Sequence, residues 1–415
     1  MRRRLRARLI TQWWPPEPVT VPVWIATALS ELGWEIEVLT GVPNYPSGIV
    51  ADGYSLRRYT KEEAAGFPVV RAPLYPNHGM SALKRMANYL SWAASATVPA
   101  VMQPRADINV VYASPATAAF PAMVARIVRR TPYVLIAQDI WPDSVTRGGF
   151  MGQGRFVALL EGVLGWFVRS AYAGASAVSV ISPGAQDLLA ERGVSRDKLS
   201  LIYNWVDEEI FTPQARNPED RTTLVEHAED FILLYAGNLG RAQGLGTAID
   251  AVAMSPSHVR LVIAGDGVEE TALRQHAARV APDRVRFLGR QPIAEMSKLN
   301  SSADAQLVML RDLPLYRTTM PSKLQAVLAS GSSLICSVAG DAAEVVRRSG
   351  AGLTVPPENP RALSEAIGVM AKMDEGERIE MGLRGREFYD QEMAKSVGAR
   401  RLDDLLRTVL VGSAK

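Results

Sequence analysis

The chain has 415 residues, 47% of them apolar and 21% charged, with a formal net charge of +3. That length exceeds one ordinary core and predicts two domains or three; the balance is that of a soluble globular protein and excludes a disordered one. The single cysteine, Cys336 in the apolar run SSLICSV, excludes an internal disulfide and fits a reducing cytoplasm, and no nucleic-acid partner is expected.

The opening MRRRLRARLIT carries five arginines in its first eight residues. The apolar stretch behind them is cut off by Trp13, Trp14 and Pro15, too short for a signal segment or a bilayer span. The basic start reads either as a solubilising arm or as attraction to anionic lipid, where each cation adds about 1 kcal/mol and several must act together. Arg6 to Thr11 predicts a strand, and Pro15, Pro16 and Pro18 force a loop after it. Ile25, Leu29 and Leu32 share a helical face that Gly33 stops, and Glu35 to Thr40 alternates as a strand. The loop after it, GVPNYPSG, is long enough to be functional.

From Met80 to Met102 the apolar positions Leu83, Ala87, Leu90, Ala94, Val98 and Val101 keep helical spacing, with Lys84, Asn88, Ser91 and Ser95 on the opposite stripe. Tyr89, Trp92, Lys84 and Arg85 would suit a helix at a lipid interface. Base rates favour instead an ordinary helix with its apolar stripe in the core. Strand and helix then alternate: strands at Ile108 to Tyr112, Tyr133 to Ala137, Ala177 to Ile181 and Leu199 to Tyr203, helices through 118–130, 156–172 and 183–192. Such alternation predicts a parallel sheet with helices on both faces and ligands at the carboxyl ends of the strands. Asp139 and Asp143, in QDIWPDSV, fall at such an end. Each has a competing structural reading, Asp139 as a partner of nearby backbone N–H groups and Asp143 as a helix cap.

Between Asn204 and Asp230 the pattern lapses into polar, proline-containing sequence, the best linker candidate. A second alternating series follows, with strands at Ile232 to Tyr235, Arg260 to Ala264, Val285 to Leu288, Ala305 to Met309 and Ser333 to Ser337. Helices are expected over 360–373 and from about 393 to 411. Two Rossmann-like domains facing each other across a cleft is the simplest architecture.

Two places in the second half are poised for phosphate. In FILLYAGNLGRAQGLG, residues 231–246, an apolar run ends in a loop carrying Gly237, Gly240, Gly244, Gly246 and Arg241. Glycines let the backbone approach an anion, and the helix start behind them favours negative charge. Neither G-x-G-x-x-G nor G-x-x-x-x-G-K-[ST] occurs, so this loop alone names no ligand. The second place is MPSK, Met320 to Lys323, at the start of a helix. Pro321 is natural there and Ser322 can cap. Lys323 opposes the helix dipole, a conflict that a bound anion removes and that a merely solvated lysine would tolerate. The four histidines, His78 among them, have no metal or triad spacing.

In their order, NWVDEEIFTP (204–213), YAGNLGRAQG, LVIAGDG (261–267), VRFLGR (285–290) and MPSKLQAVLASG resemble the family 4 glycosyltransferases of the GT-B fold. WWPPEP, TGVPNYPSG and QDIWPDS resemble the branch of that family that makes bacterial surface polysaccharides, O-antigens and colanic acid. The resemblance implies an α/β GT-B chain with an acceptor domain over 1–205, a nucleotide-sugar domain over 206–392, and a C-terminal helix of about 393–415 packed back on the first. It also implies transfer of a sugar, with retention, from a nucleotide diphosphate donor, expected to be a UDP-sugar, to a polyprenyl-linked or glycan acceptor. The setting would be the cytoplasm, at the anionic inner face of the plasma membrane. No metal or other cofactor is expected, and no D-x-D occurs; cations and backbone N–H groups would stabilise the leaving diphosphate.

Asn238 and Gln243 stand where the family carries an arginine and a lysine on that diphosphate, so Arg241 and Lys323 are expected to supply the charge. Thr318 and Ala326 stand at the family's glutamate pair, which leaves Gln325 as the nearest polar group. Asp139 is expected to orient or deprotonate the acceptor hydroxyl. Arg241, Lys323 and Asp139 thus form the expected catalytic set, and Gly237, Asn238, Gln243, Gly244, Gly267, Arg290, Ser322, Leu324 and Gln325 the substrate-binding set. Asp266 would border the nucleotide beside Gly267, and the backbone at Arg290 would meet the base. Two other classes stay open, a nucleotide-sugar 2-epimerase of related fold and a non-catalytic nucleotide-sugar-binding scaffold.

Overall fold

The structure, a computed structural model, describes residues 4–79, 81–141, 155–227 and 229–413, with residues 82 and 155–161 described in backbone only. Asp143 and residues 1–3 of the basic start lie outside the described residues. The chain divides into two compact units, Met1–Ile202 with Ala399–Lys415, and Tyr203–Gly398.

The first unit is built on an eight-stranded sheet. In chain order its strands are β1 (Arg6–Ile10), β2 (Glu35–Gly41), β3 (Thr60–Ala64), β4 (Phe67–Ala72), β5 (Ile108–Tyr112), β6 (Tyr133–Ala137), β7 (Ala177–Val180) and β8 (Leu199–Leu201). In space they run β3-β4-β2-β1-β5-β6-β7-β8. All pairings are parallel except the hairpin β3–β4. Strands such as INVVY and YVLIA read as almost unbroken apolar runs because helices cover both faces. One core cluster joins Ile10, Leu39, Val111 and Leu135 to Trp92 and Ala96 of the helix Ala82–Met102, to Ala122 of the helix Ala119–Arg129 and to Val168 of the helix Arg155–Gly174.

The helix Ala82–Met102 corrects the expectation of a core-facing apolar stripe. Leu83, Leu90 and Val98 are exposed, whereas Asn88, from the polar stripe, and Trp92 are fully buried. Hydrogen bonds account for the inversion. Asn88 accepts from Gln12 Nε2 and donates through Nδ2 to Asn44 Oδ1 at 3.2 Å and to the Tyr75 carbonyl at 2.7 Å, and Ser91 Oγ accepts from Tyr75 N at 2.8 Å. The polar stripe joins loops that would otherwise leave buried groups unpaired.

The second unit carries β9 (Phe231–Ala236), β10 (Val259–Ala264), β11 (Val285–Gly289), β12 (Ala305–Met309), β13 (Leu334–Ser337) and β14 (Gly352–Thr354). All are parallel, in the order β11-β10-β9-β12-β13-β14. Counted from β9 this is 3-2-1-4-5-6, the doubly wound order whose reversal point, between β9 and β12, opens a crevice at the strands' carboxyl ends.

Two further expectations change here. Residues 204–230 are no free linker but part of the second unit's wall, with Trp205, Val206, Leu224 and Val225 buried. Their polar character serves a charge cluster in which Asp304 accepts from Arg216 at 3.0 Å, Arg221 at 2.8 Å and Arg378 at 3.2 Å. The helix Glu375–Glu392 was not expected at all. Two of its three glycines, Gly382 and Gly385, blur the pattern and are needed, since a Cβ on Gly382 would collide with the Gly331 carbonyl and one on Gly385 would lie 2.7 Å from Ala351 Cβ. The final helix, Lys395–Ser413, begins in the second unit and ends in the first, where Asp403 accepts from Trp34 Nε1 at 2.7 Å.

Candidate active site

At the reversal point of the second sheet the chain leaves β9 through Gly237, whose φ of +148° makes any side chain strained there and whose open face lies against the end of Lys323. An added Cβ would lie 3.1 Å from Lys323 Cε. The loop after β9 is braced from both sides. Leu239 N donates to Asp266 O at 2.7 Å, and a Cβ on Gly267 would lie 2.5 Å from the Leu239 carbonyl oxygen. On the other side Arg311, just past β12, donates from its backbone N to Ala242 O at 2.9 Å and packs its stem under Gly244.

Within this loop Gln243 Oε1 accepts from Gly240 N at 3.1 Å, so its side chain is a staple of the turn, and the Asn238 amide folds over the same glycine. The Asn238 carbonyl accepts from Tyr235 Oη at 2.7 Å. Arg241 stands exposed at the loop tip and makes no hydrogen bond or ion pair among the described residues. Arg290, beyond β11, is likewise exposed.

Lys323 sits one residue into the helix Ser322–Ala329. Its Nζ lies 3.0 Å from the centroid of the Tyr235 ring, and no hydrogen bond or ion pair to it exists among the described residues. Desolvation holds its pKa well below the ordinary lysine value. A cation–π contact compensates such a charge only in part. Ser322 does not cap this helix; Pro321 occupies the cap position, and no side chain accepts from the first turn. Uncapped N–H groups and an unpaired lysine therefore share one helix start, beside a glycine that keeps the approach open.

The two remaining members of the predicted set serve packing. Leu324 is fully buried, and its N–H donates to Pro321 O at 2.9 Å. Gln325 is buried with Nε2 donating to Asn204 O at 2.8 Å, which ties this helix to the NWVD segment. Sequence reasoning missed Tyr235 and Arg311. An aromatic one residue before the strand end and a cation two residues past β12 carry no motif of their own.

In the first unit the corresponding reversal point lies between β1 and β5. Here the loop after β1 is bulky. Trp13 packs tilted against Tyr45, ring centroids 5.1 Å apart and planes 36° apart, and lies 6.2 Å from His78 and 6.4 Å from Tyr89. Glu17 accepts from Trp14 N at 3.1 Å and from Asn44 N and Tyr45 N at 2.9 Å, so one carboxylate holds the loops after β1 and β2 together. Burial raises its pKa, and those three N–H bonds work against the rise. Asp139, two residues past β6, accepts from Ser114 Oγ at 2.8 Å. Its carboxylate is reachable by solvent yet crowded by protein, and desolvation raises its pKa against the lowering effect of the Ser114 bond. Among the described residues no backbone N–H donates to it, and its carboxylate faces solvent beside the end of β6. Among the described residues no group of three or more His, Cys, Asp or Glu is placed to hold a metal ion.

Comparison with known proteins follows the same division. Residues 18–205 match a glycosyl transferase 4-like domain, and residues 230–372 match the glycosyl transferases group 1. The chain belongs to the family 4, group 1 glycosyltransferases. Among relatives of this glycosyltransferase, WcaI of Escherichia coli K12, which carries the name of a colanic acid biosynthesis glycosyl transferase, is 28% identical over 82% of this chain and 84% of its own. WbjE of Pseudomonas aeruginosa, named as a glycosyltransferase, is 23% identical over 65% of this chain and 67% of its own. Among solved structures, Anabaena HepE in complex with UDP and glucose superposes with a TM-score of 0.70 at 18% identity, covering 97% of this chain and 100% of that one. A sucrose-phosphate synthase of Thermosynechococcus elongatus gives 0.72 at 18% identity, covering 99% and 100%. The fold is thus GT-B, and the enzyme is a glycosyltransferase.

Proposed function

We propose that this glycosyltransferase moves a sugar, with retention of anomeric configuration, from a UDP-sugar to a lipid-linked or glycan acceptor in the assembly of a cell-surface polysaccharide. Over 1–205 the chain serves the acceptor, and over 206–392 the donor. The observation that carries this reading is Lys323, a desolvated cation without a partner beside the glycine-lined turn after β9. A diphosphate seated there would meet the ammonium, the free N–H groups of the first helical turn and the backbone of the loop from Gly237 to Gly244. Arg241 adds an exposed cation at the rim, and Ser322 a hydroxyl at the helix start. Gly267 and Arg290, past β10 and β11, would border the nucleotide.

In the reaction the bond from the anomeric carbon to the diphosphate breaks, and the acceptor oxygen bonds to that carbon on the same face. The negative charge developing on the leaving phosphate is what Lys323 stabilises. The acceptor's proton leaves toward a carboxylate, for which Asp139 is the first unit's candidate. The name carried by WcaI supports a surface-polysaccharide setting, and the UDP bound by HepE supports the donor class. A lipid-linked acceptor would place the enzyme peripherally on the cytoplasmic face of the membrane.

A thermal-shift screen of nucleoside diphosphates and their sugars, followed by transfer assays, tests the reading. Melting should rise with UDP and UDP-sugars by mass action, and product NMR should show the donor's anomeric configuration. Isomerisation of the donor without an acceptor would mean an epimerase instead, and binding without turnover a scaffold.

A further inference from the structure

The helix Ala82–Met102 is inside out, and its neighbours extend the anomaly. Leu83 is 61% exposed, Leu90 53%, Val98 49% and Met102 77%; on the adjoining helix Ala119–Arg129, Ile127 is 80% and Val128 58% exposed. Trp166, 65% exposed, stands on the helix Arg155–Gly174. These three helices pack through one core cluster on the same face of the first sheet, so their outward sides form one side of that unit. Of the 22 large exposed apolar side chains among the described residues, nine lie on these three helices, which is concentration rather than the ordinary scatter of surface apolar groups.

Charge distinguishes the possible occupants. The helices Ala82–Met102 and Ala119–Arg129 carry Lys84, Arg85, Arg126 and Arg129 and no acidic residue. A second copy of this chain docking by the same patch would oppose like charges across a twofold axis. A bilayer with anionic headgroups meets both components, apolar side chains at the acyl boundary and cations at headgroup depth. The helix is held in this rotation by the bonds of Asn88 and Ser91 to Gln12, Asn44 and Tyr75, so its apolar stripe is fixed outward. No helix among the described residues is long and apolar enough to cross a membrane, so such a surface would lie on a bilayer.

We propose that the outward side of the helices Ala82–Met102 and Ala119–Arg129 is a docking surface for an anionic lipid bilayer. The inward side of the same helix supplies Asn88 and Tyr89 to the loops after β1 and β2, so docking would hold those loops one helix diameter, ~10 Å, from the bilayer surface. This rests on the reading above only in that the acceptor is lipid-linked.

Flotation of the full chain with vesicles of phosphatidylcholine containing about 30 mol% phosphatidylglycerol tests it. Wild type should float at low salt, less on pure phosphatidylcholine and less at high salt. Leu90→Glu with Val98→Glu should cut flotation about tenfold or more, and Lys84→Gln with Arg129→Gln about tenfold on anionic vesicles alone. Ile293→Glu, an exposed apolar position of the second unit, should float as wild type. Melting temperature and turnover on a water-soluble acceptor should be unchanged in all of them. Three results would overturn the inference: no flotation of wild type, flotation untouched by the double substitutions, or a wild-type dimer that Leu90→Glu with Val98→Glu dissociates. Retained turnover on the soluble acceptor in those cases would leave the transferase reading standing.

Discussion

The two reversal points use one strand order for opposite surroundings. After β9 the second unit places glycine, where a single added carbon would press on Lys323. After β1 the first unit places Gln12, Trp13 and Trp14, and builds a wall of tilted and edge-on rings and neutral amides. The first of these presents open backbone and one desolvated lysine; the second presents aromatic faces, the loop-bracing carboxylate of Glu17 and the solvent-reachable carboxylate of Asp139. The shared topology fixes where ligands go, and the side chains that the loops tolerate decide which chemistry they meet.

The sharpest way to break this contrast is at Lys323. Lys323→Met should lower turnover about a thousandfold and abolish UDP-induced thermal stabilisation. The apoprotein should become more stable, by order 1 kcal/mol, because a desolvated charge is removed. Sugar-transfer kinetics and melting curves read both; a variant with normal turnover would return Lys323 to a packing role. Asp139→Asn should come next, lowering kcat about a hundredfold while UDP binding is kept. As the carboxyl pKa of the free protein is raised above the ordinary 3.8, the acid limb of wild-type kcat/KM should lie above the usual aspartate range. Unchanged turnover at saturating acceptor would remove Asp139 from the chemistry.

Lys323 also gives a pH signature. A diphosphate favours the ammonium, so the lysine pKa rises on binding and a proton is taken up. Above the lowered pKa of the free enzyme, UDP affinity should fall as pH rises, approaching about tenfold per unit, until the pKa of the complex is reached. Calorimetry in buffers of different ionisation enthalpy measures that proton. Asn88→Ala should destabilise the first unit by about 1–3 kcal/mol, because it leaves Gln12 Nε2 and the Tyr75 carbonyl unpaired; chemical denaturation gives the value. The smallest effect belongs to Arg241→Ala, about two- to fivefold in UDP affinity and lost at high salt, since the cation is exposed.

Much of this was legible in the sequence. Buried parallel strands announce themselves as short apolar runs, and β5, β6 and β12 fall where the pattern places them. The edge hairpin β3–β4 did not, because TKEEA is a half-exposed edge with no apolar run. The helix Glu375–Glu392 hid behind Gly382 and Gly385, although its capping box, Asp374 with Glu377, is readable. Periodicity gave the helix Ala82–Met102 but not its rotation. Which stripe turns inward depends on partners far along the chain, Gln12 and Asn44, and no local pattern carries them. The same limit applies to the site. Lys323 stood out through its conflict with the helix dipole, whereas Tyr235 and Ser114 matter only through what they touch.

The last helix has a practical consequence. Because the chain enters the second unit once and returns to the first at its end, no single cut separates the halves. A fragment ending at residue 202 would lack Asp403 and Arg407, the hydrogen-bond acceptor and the cation that cover Trp34. An independently folding first half calls for the terminal segment to be grafted back, by circular permutation or by co-expression of residues 399–415 as a separate peptide.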